Sequence, residues 1–269
     1  MAKPVRWIIG GLGLVVGLGW FGLQLQPAPF PSYPQPVPSP SFVPLPQGLP
    51  APVERFYRTI YGDEVPLITT AVMTGRGQLR IGPITFPARF RFTHEAGQGY
   101  RHYIETTMFG LPVMRVNEHF LGGQGRLELP FGVFEGSEVN QGANLGLWAE
   151  SIWLPALLVT DPRVRWEPID TVTAGLVVPF GADEERFIVR FDPKSGLLTH
   201  LESMRYRDAQ SGKVLWINEA QAWQPVSGYQ LPTVGLITWL DQGYSWANFQ
   251  IEAVQYNVEV QEYLRGRGI

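Results

Sequence analysis

The sequence predicts a mainly β (α+β) protein: a curved antiparallel half-barrel of about eleven strands around one buried helix, behind an N-terminal transmembrane helix. Three observations carry this expectation. Runs of alternating apolar and polar residues recur along most of the chain, separated by tight-turn residues. One mid-chain stretch, residues 140–161, has helical spacing yet is apolar on nearly every side. One uncharged stretch near the start, Trp7 to Leu25, is long enough to cross a bilayer.

The 269 residues allow one large or two small domains. Charged residues are only 17% and the net charge is −3, so nothing attracts a polyanion and nucleic acid is not an expected partner. Cysteine is absent, which removes disulfides, thiol catalysis and Cys-based metal sites. Aromatics at 13%, with nine Trp, suit strands and an apolar cavity.

The N-terminal run is read as a signal-anchor. Its 19 residues would span about 28 Å as a helix, close to a hydrocarbon core of roughly 30 Å. Lys3 and Arg6 precede it and no further charge occurs before Glu54. The positive-inside rule then expects a cytoplasmic N-terminus and an extracytoplasmic remainder. A cleaved signal peptide is the competing reading, against which stand the length of the run and the lack of a clean Ala-x-Ala site.

Residues 27–52 hold 11 of the 24 prolines and are expected to form an extended, semi-rigid linker free of helix and sheet, reaching about 80 Å. The expected division is therefore anchor 1–26, linker 27–52 and extracytoplasmic domain 53–269.

Within the domain, Val53 to Tyr61 has the spacing of a short amphipathic helix after two prolines. Five strands are expected next, over Leu67–Ile81 (broken by Gly75 and Gly77), Ile84–His94, Tyr100–Phe109, Val113–Leu121 and Arg126–Phe134. In the second, Phe90 and Phe92 alternate with Arg89 and Arg91, the pattern of a half-buried strand. The central helix follows, with Asn140 as its expected N-cap, a kink at Pro155 and an end at Asp161-Pro162. One or two strands are expected in Val164–Val178. Arg186–Asp192, Leu197–Arg207, Val214–Trp223, Leu231–Leu240 and Tyr244–Val260 are then joined by hairpin turns such as Asp192-Pro193-Lys194-Ser195-Gly196. Residues 262–269 resemble a frayed tail.

The segments RFRFTHEAGQGYRHYIETTMFGLPVM, NLGLWAESIWLPALLVTDPRVRWEP and RFDPKSGLL resemble a bacterial family of uncharacterised membrane-anchored proteins, a domain of unknown function. That resemblance implies no activity. The order of elements is similar to the LolA/LolB lipoprotein carriers, and this implies an open half-barrel holding acyl chains.

Glu150 is the most informative polar residue, because a lone carboxylate on an apolar helix cannot stay buried and charged without a partner. It is expected to face a cavity with a raised pKa, as an acid or ligand anchor, to pair with an arginine such as Arg163, Arg165, Arg101 or Arg115, or simply to lie exposed at a helix end. Trp148, Ile152 and Trp153 on the same helix, with His102, complete the expected ligand-binding set. No catalytic motif and no metal-ligand spacing is present, and no cofactor is expected. A metal site would need ligands assembled from separate strands. Ser151 is expected to be a packing residue. The leading expectation is a membrane-tethered binding protein for a lipid or other apolar ligand, since a twelve-carbon chain gains about 9–10 kcal/mol on burial. An extracytoplasmic enzyme using Glu150, or an assembly protein of the cell envelope, are the alternatives.

Overall fold

The computed structural model describes residues 3–31, 33, 38–208 and 212–266, and for residues 3–12 the backbone alone. The N-terminal helix α1 is Lys3–Gln24. Among the described residues no helix is long and apolar enough to cross a membrane. The first part of the uncharged run, Trp7 to residue 12, has side chains outside the described residues.

A short strand β1 (Phe42–Pro44), helix α2 (Ala51–Tyr61) and strand β2 (Glu64–Pro66) follow. The first meander is β3 (Thr70–Ile81), β4 (Ile84–Glu95), β5 (Gly99–Met108), β6 (Leu111–Leu121), β7 (Gln124–Leu129) and β8 (Gly132–Phe134). The central segment is helix α3 (Ser137–Ala149), a 3₁₀ turn (Glu150–Trp153) and helix α4 (Leu157–Thr160). The second meander is β9 (Arg165–Pro168), β10 (Thr173–Phe180), β11 (Asp183–Phe191), β12 (Leu198–Tyr206), β13 (Lys213–Val226), β14 (Tyr229–Trp239) and β15 (Tyr244–Tyr256), closed by helix α5 (Gln261–Arg265).

Among the described residues, thirteen strands form one antiparallel sheet in the order β8-β7-β6-β5-β4-β3-β15-β14-β13-β12-β11-β10-β9, and β1 pairs with β2 apart from it. The expected eleven strands are thus corrected upward. The expected Val164–Val178 run divides into β9 and β10 around Asp170, whose carboxylate accepts from the Val172 amide, and the short β8 stands apart from β7. Gly75 and Gly77 do not break β3. A Cβ on Gly75 would lie 2.0 Å from the Gln250 carbonyl oxygen, so the missing side chain lets β15 close against β3.

This strand order explains the central segment. β8 and β9 are opposite edges, and the chain has to cross the whole sheet between them. Twelve strand spacings cover about 58 Å along the sheet, whereas α3 is only about 20 Å long. The crossing is short because the sheet curls around it. Gln141 to Ala149 are all buried, as expected for an apolar rod wrapped by β-structure. Gly125 admits the helix to β7: a Cβ there would meet Ala143 Cβ at 2.9 Å. The N-cap position is Gly136 rather than Asn140, which lies within the first turns and accepts the Gly125 amide at 2.7 Å. The helix breaks before Pro155, as a ring without an N–H requires. The carbonyls freed there find tyrosines: Tyr57 Oη donates to Pro155 O at 2.8 Å, and Tyr256 Oη donates to Trp153 O.

Helix α2 plugs one end of the curl, with Phe56 against Phe191 and Trp223 at 5.7 and 5.5 Å between ring centroids. Much of the outer face of β4 and β5 is covered too, which corrects the half-buried reading of β4. Phe30 is buried over the Arg89 and Arg91 guanidinium groups, at 4.5 and 5.3 Å, and Arg91 also lies 4.4 Å from the Tyr263 ring. Arg101 Nε donates to the carbonyl of Leu264 in α5, so the expected frayed tail is in part a docked helix. The described parts of the Pro-rich segment therefore pack on the domain as a strap and contribute β1, rather than standing as a free spacer without sheet. Its Phe30 and Leu45 are buried, Phe30 against Tyr103 of β5 and Leu45 in the main core. The strap starts where Phe109 N donates to Gly22 O at 2.8 Å, which seats the end of α1 on the β5–β6 turn.

Candidate functional site

The β4–β5 hairpin pairs His94 with Tyr100 and Phe92 with His102. His94 and His102 therefore share the concave face as diagonal neighbours, with ring centroids 6.0 Å apart. Glu150 starts the 3₁₀ turn at the end of α3 and meets them there. Its Oε2 accepts from His94 Nε2 and from His102 Nε2, each at 2.7 Å. Both rings then carry their proton on Nε2. The expected arginine partner is replaced by two histidines. Arg163 binds Asp161, Arg165 binds Glu184, Arg115 faces Glu105, and Arg101 binds Asn117 and Leu264 O.

His102 is clamped between aromatic faces, with Phe92 at 4.1 Å and Tyr100 stacked at 4.0 Å. Its Nδ1 lies 3.8 Å from Glu118 Oε2, a charge contact beyond hydrogen-bond reach. Glu118 Oε1 accepts from Tyr100 Oη at 2.6 Å. The hairpin turn is tied to the central segment as well, since Arg163, held by Asp161, donates to Gly97 O at 2.8 Å.

Burial alone would raise the Glu150 pKa, but the positive His102 and hydrogen bonds from both imidazoles outweigh it and hold the carboxyl at about 2. Burial alone would lower His102, but the charges of Glu150 and Glu118 and the hydrogen bond to Glu150 raise it to about 9. His94 is lowered, because burial outweighs its bond to Glu150. Glu118 is lowered despite burial by His102 and Arg205. The shifts favour the charged forms of Glu150, Glu118 and His102 and the neutral form of His94. The expectation of a raised Glu150 pKa is thereby corrected: two donors aimed at one oxygen stabilise the anion.

Trp148, Ile152 and Trp153 are packed into the core, and Trp153 Nε1 donates to Pro232 O at 3.0 Å. Ser151 is fully buried, its Oγ directed at the Leu147 carbonyl. Trp148, Ile152 and Trp153 do not border the main apolar cavity among the described residues. That cavity, of about 510 Å³, lies between the first turns of α3 and the opposite end of the sheet. Val139, Ala143, Ile104, Val116, Leu127 and Trp246 form much of its wall. Glu118 and Arg205 bring charge to it, so it backs onto the His102 cluster. Arg205 lies over the Trp216 ring at 4.3 Å, and its Nε donates to Gly142 O at 3.0 Å. Sequence reasoning gave no site role to Glu118 or Arg205, and did not join His94 to Glu150. A second cavity of about 540 Å³, between Tyr103, Arg115 and Glu128, is mixed in polarity and lies on the outer face of the same strands.

Three solved structures resemble the fold. They are a DUF1329 family protein from Desulfovibrio piger ATCC 29098 (11% identity, 80% of this chain and 94% of that one, TM-score 0.46), an outer membrane lipoprotein-sorting protein domain from Vibrio parahaemolyticus (11%, 72% and 88%, 0.42), and a LolA superfamily protein from Nitrosomonas europaea (9%, 80% and 96%, 0.45). No curated protein matches the chain. A family of unknown function, DUF6544, matches residues 42–250, which span the strap strand, both meanders and the crossing helix, and the chain belongs to that family.

Proposed function

We propose that the protein is a membrane-tethered, extracytoplasmic binding protein for a lipid or other apolar ligand, seated in the cavity of about 510 Å³. The observation that carries this reading is where the cavity opens. Its mouth is bordered by Ile81, Gly82, Phe131, Gln242 and Tyr244, which belong to hairpin tips at one end of the sheet. Those tips expose Ile81, Ile84, Phe109, Leu111, Phe131 and Leu240, with Leu111 at 69% and Phe131 at 73%. Helix α1 ends on the same rim, at Phe109, and carries exposed Leu14, Val15, Leu18, Trp20 and Phe21. An apolar rim beside an apolar helix favours a lipid surface over water. On this reading residues 1–26 are the anchor with a cytoplasmic N-terminus, and the cavity mouth faces the bilayer. The size falls within the usual range for small-molecule sites, about 300–1,000 Å³. Arg205, with no hydrogen bond from its terminal nitrogens among the described residues, suits an anionic head group at the inner end of the cavity.

The test is solvent extraction of the purified full-length chain, followed by titration with a fluorescent fatty acid. Lipid is expected in the extract, and the probe is expected to bind at one equivalent. Val116→Trp, which fills the cavity from β6, is expected to weaken the probe at least tenfold with the far-UV spectrum unchanged. An empty extract together with no probe uptake overturns the reading.

A further inference from the structure

We propose that His94, His102 and Glu150 form a binding site for a divalent transition-metal ion, separate from the apolar cavity. The three side chains come from β4, β5 and the end of α3, and each offers a ligand atom within 4.8 Å of the others. Two imidazoles and one carboxylate suit zinc, iron or manganese, whereas calcium and magnesium prefer all-oxygen sites.

The geometry is convergent. Both Nε2 atoms aim at one carboxylate oxygen, while Glu150 Oε1 has no hydrogen-bond partner among the described residues. An ion bound to both Nε2 atoms replaces their protons: His94 takes its proton on Nδ1 as the other tautomer, and His102 keeps a proton on Nδ1 toward Glu118 and releases the Nε2 proton to solvent. Ligand atoms around a tetrahedral ion with bonds of roughly 2.0–2.1 Å stand about 3.3 Å apart. The present contacts are 2.7 Å, so admitting an ion requires the carboxylate to withdraw by roughly 0.6 Å. Glu150 sits at the junction of α3 and the 3₁₀ turn, where a side chain of three torsions has that freedom.

The surroundings resemble a metal's supporting shell. Imidazole ligands are commonly oriented by a carboxylate on their other nitrogen. Glu118 faces His102 Nδ1 and is itself fixed by Tyr100 Oη. His94 Nδ1 is buried with no partner among the described residues, and that ring is positioned by its Nε2 bond to Glu150 and by stacking on Tyr100. Two carboxylates, Glu118 and Glu150, flank His102, and a buried cation between them is electrostatically favoured. A cavity of about 10 Å³ touches Glu150, Asn218 and Glu219 but neither histidine, and is close to the volume one water centre needs. Asn218, 6% exposed, has its Nδ2 buried with no acceptor among the described residues, a donor suited to a water in that cavity beside Glu150.

The experiment uses the full-length chain, stripped with a chelator and titrated with zinc chloride by calorimetry and with cobalt(II) by visible absorption. One equivalent of zinc is expected, with a cobalt spectrum of low-symmetry nitrogen and oxygen ligation. Glu150→Gln keeps the shape and an acceptor oxygen but removes the charge, and is expected to lower zinc affinity at least a hundredfold. Glu118→Gln is expected to lower it by about 10–100-fold, as for a supporting carboxylate. His200→Gln, away from the cluster, is expected to change nothing. Absence of zinc heat and of a cobalt spectrum in the wild type overturns the proposal and leaves a hydrogen-bonded triad. Binding that survives Glu150→Gln unchanged also overturns it. If that variant does not fold, the wild-type cobalt spectrum decides alone. Lipid content read on the same samples reports the cavity independently of the metal result.

Discussion

Removing one hydroxyl tests the kink that delivers Glu150 to the histidines. Tyr256 Oη donates to the carbonyl of Trp153, and no other donor to that oxygen is present among the described residues. Tyr57 Oη donates to the carbonyl of Pro155, which also accepts from the Leu158 amide at 3.1 Å. Both tyrosines are buried, and phenylalanine preserves the rings and their packing. In Tyr256→Phe a buried acceptor loses its partner, which costs about 1–3 kcal/mol. In Tyr57→Phe the acceptor keeps one, so only the net value of a bond is lost, about 0.5–1.5 kcal/mol. Urea unfolding followed by tryptophan fluorescence should place Tyr256→Phe below Tyr57→Phe, and both below wild type. For a domain of this size a loss of about 2 kcal/mol lowers Tm by roughly 4–8 °C. A Tyr256→Phe variant as stable as wild type, or the reverse ranking, would refute the assignment of these hydroxyls to the broken helix.

Three further outcomes are expected. Gly75→Ala places a Cβ against the backbone of Gln250 and should destabilise by about 1–3 kcal/mol or prevent folding; a neutral effect in urea unfolding would contradict the close β3–β15 seam. Phe30→Ala should cost about 2–4 kcal/mol through lost burial and lost contact with Arg89 and Arg91, whereas a linker standing free of the domain would show no change. Asp161 has its pKa raised by burial but lowered further by Arg163, so its folded value lies below the usual one. Its contribution is therefore full above the unfolded value of about 3.9 and vanishes as pH falls through the folded value. The stability gap between wild type and Arg163→Met should be present at pH 6 and shrink toward pH 3; a gap independent of pH would exclude the ion pair as its source.

Most hairpins were legible because their turns have a mechanism. In Asp192-Pro193-Lys194-Ser195-Gly196 the Asp192 carboxylate accepts the Ser195 amide at 2.6 Å, and Gly196 takes φ +76°. The crossing rod was legible because its apolar surface runs all round. The site was only half legible. Glu150 stood out as a lone charge, but its partners depend on strand register, which local pattern does not state. A signal was present: a turn centred on Gly97 places His94 and His102 on the same parity of paired strands, hence on one face. The strap was illegible for another reason. In sequence Phe30 is an isolated apolar residue among prolines, and a single anchor has no period.

The pairing of β3 with β15 sets the order of events during synthesis. Residues near 75 must wait for residues near 250, so the middle of the protein is the last part to be sealed. While the ribosome is still translating, each meander presents a bare, hydrogen-bond-hungry margin at the place where the finished molecule is best protected. A chain released before Tyr244 would keep that margin for good, and early stop codons in the second half should therefore yield aggregates rather than a smaller working protein.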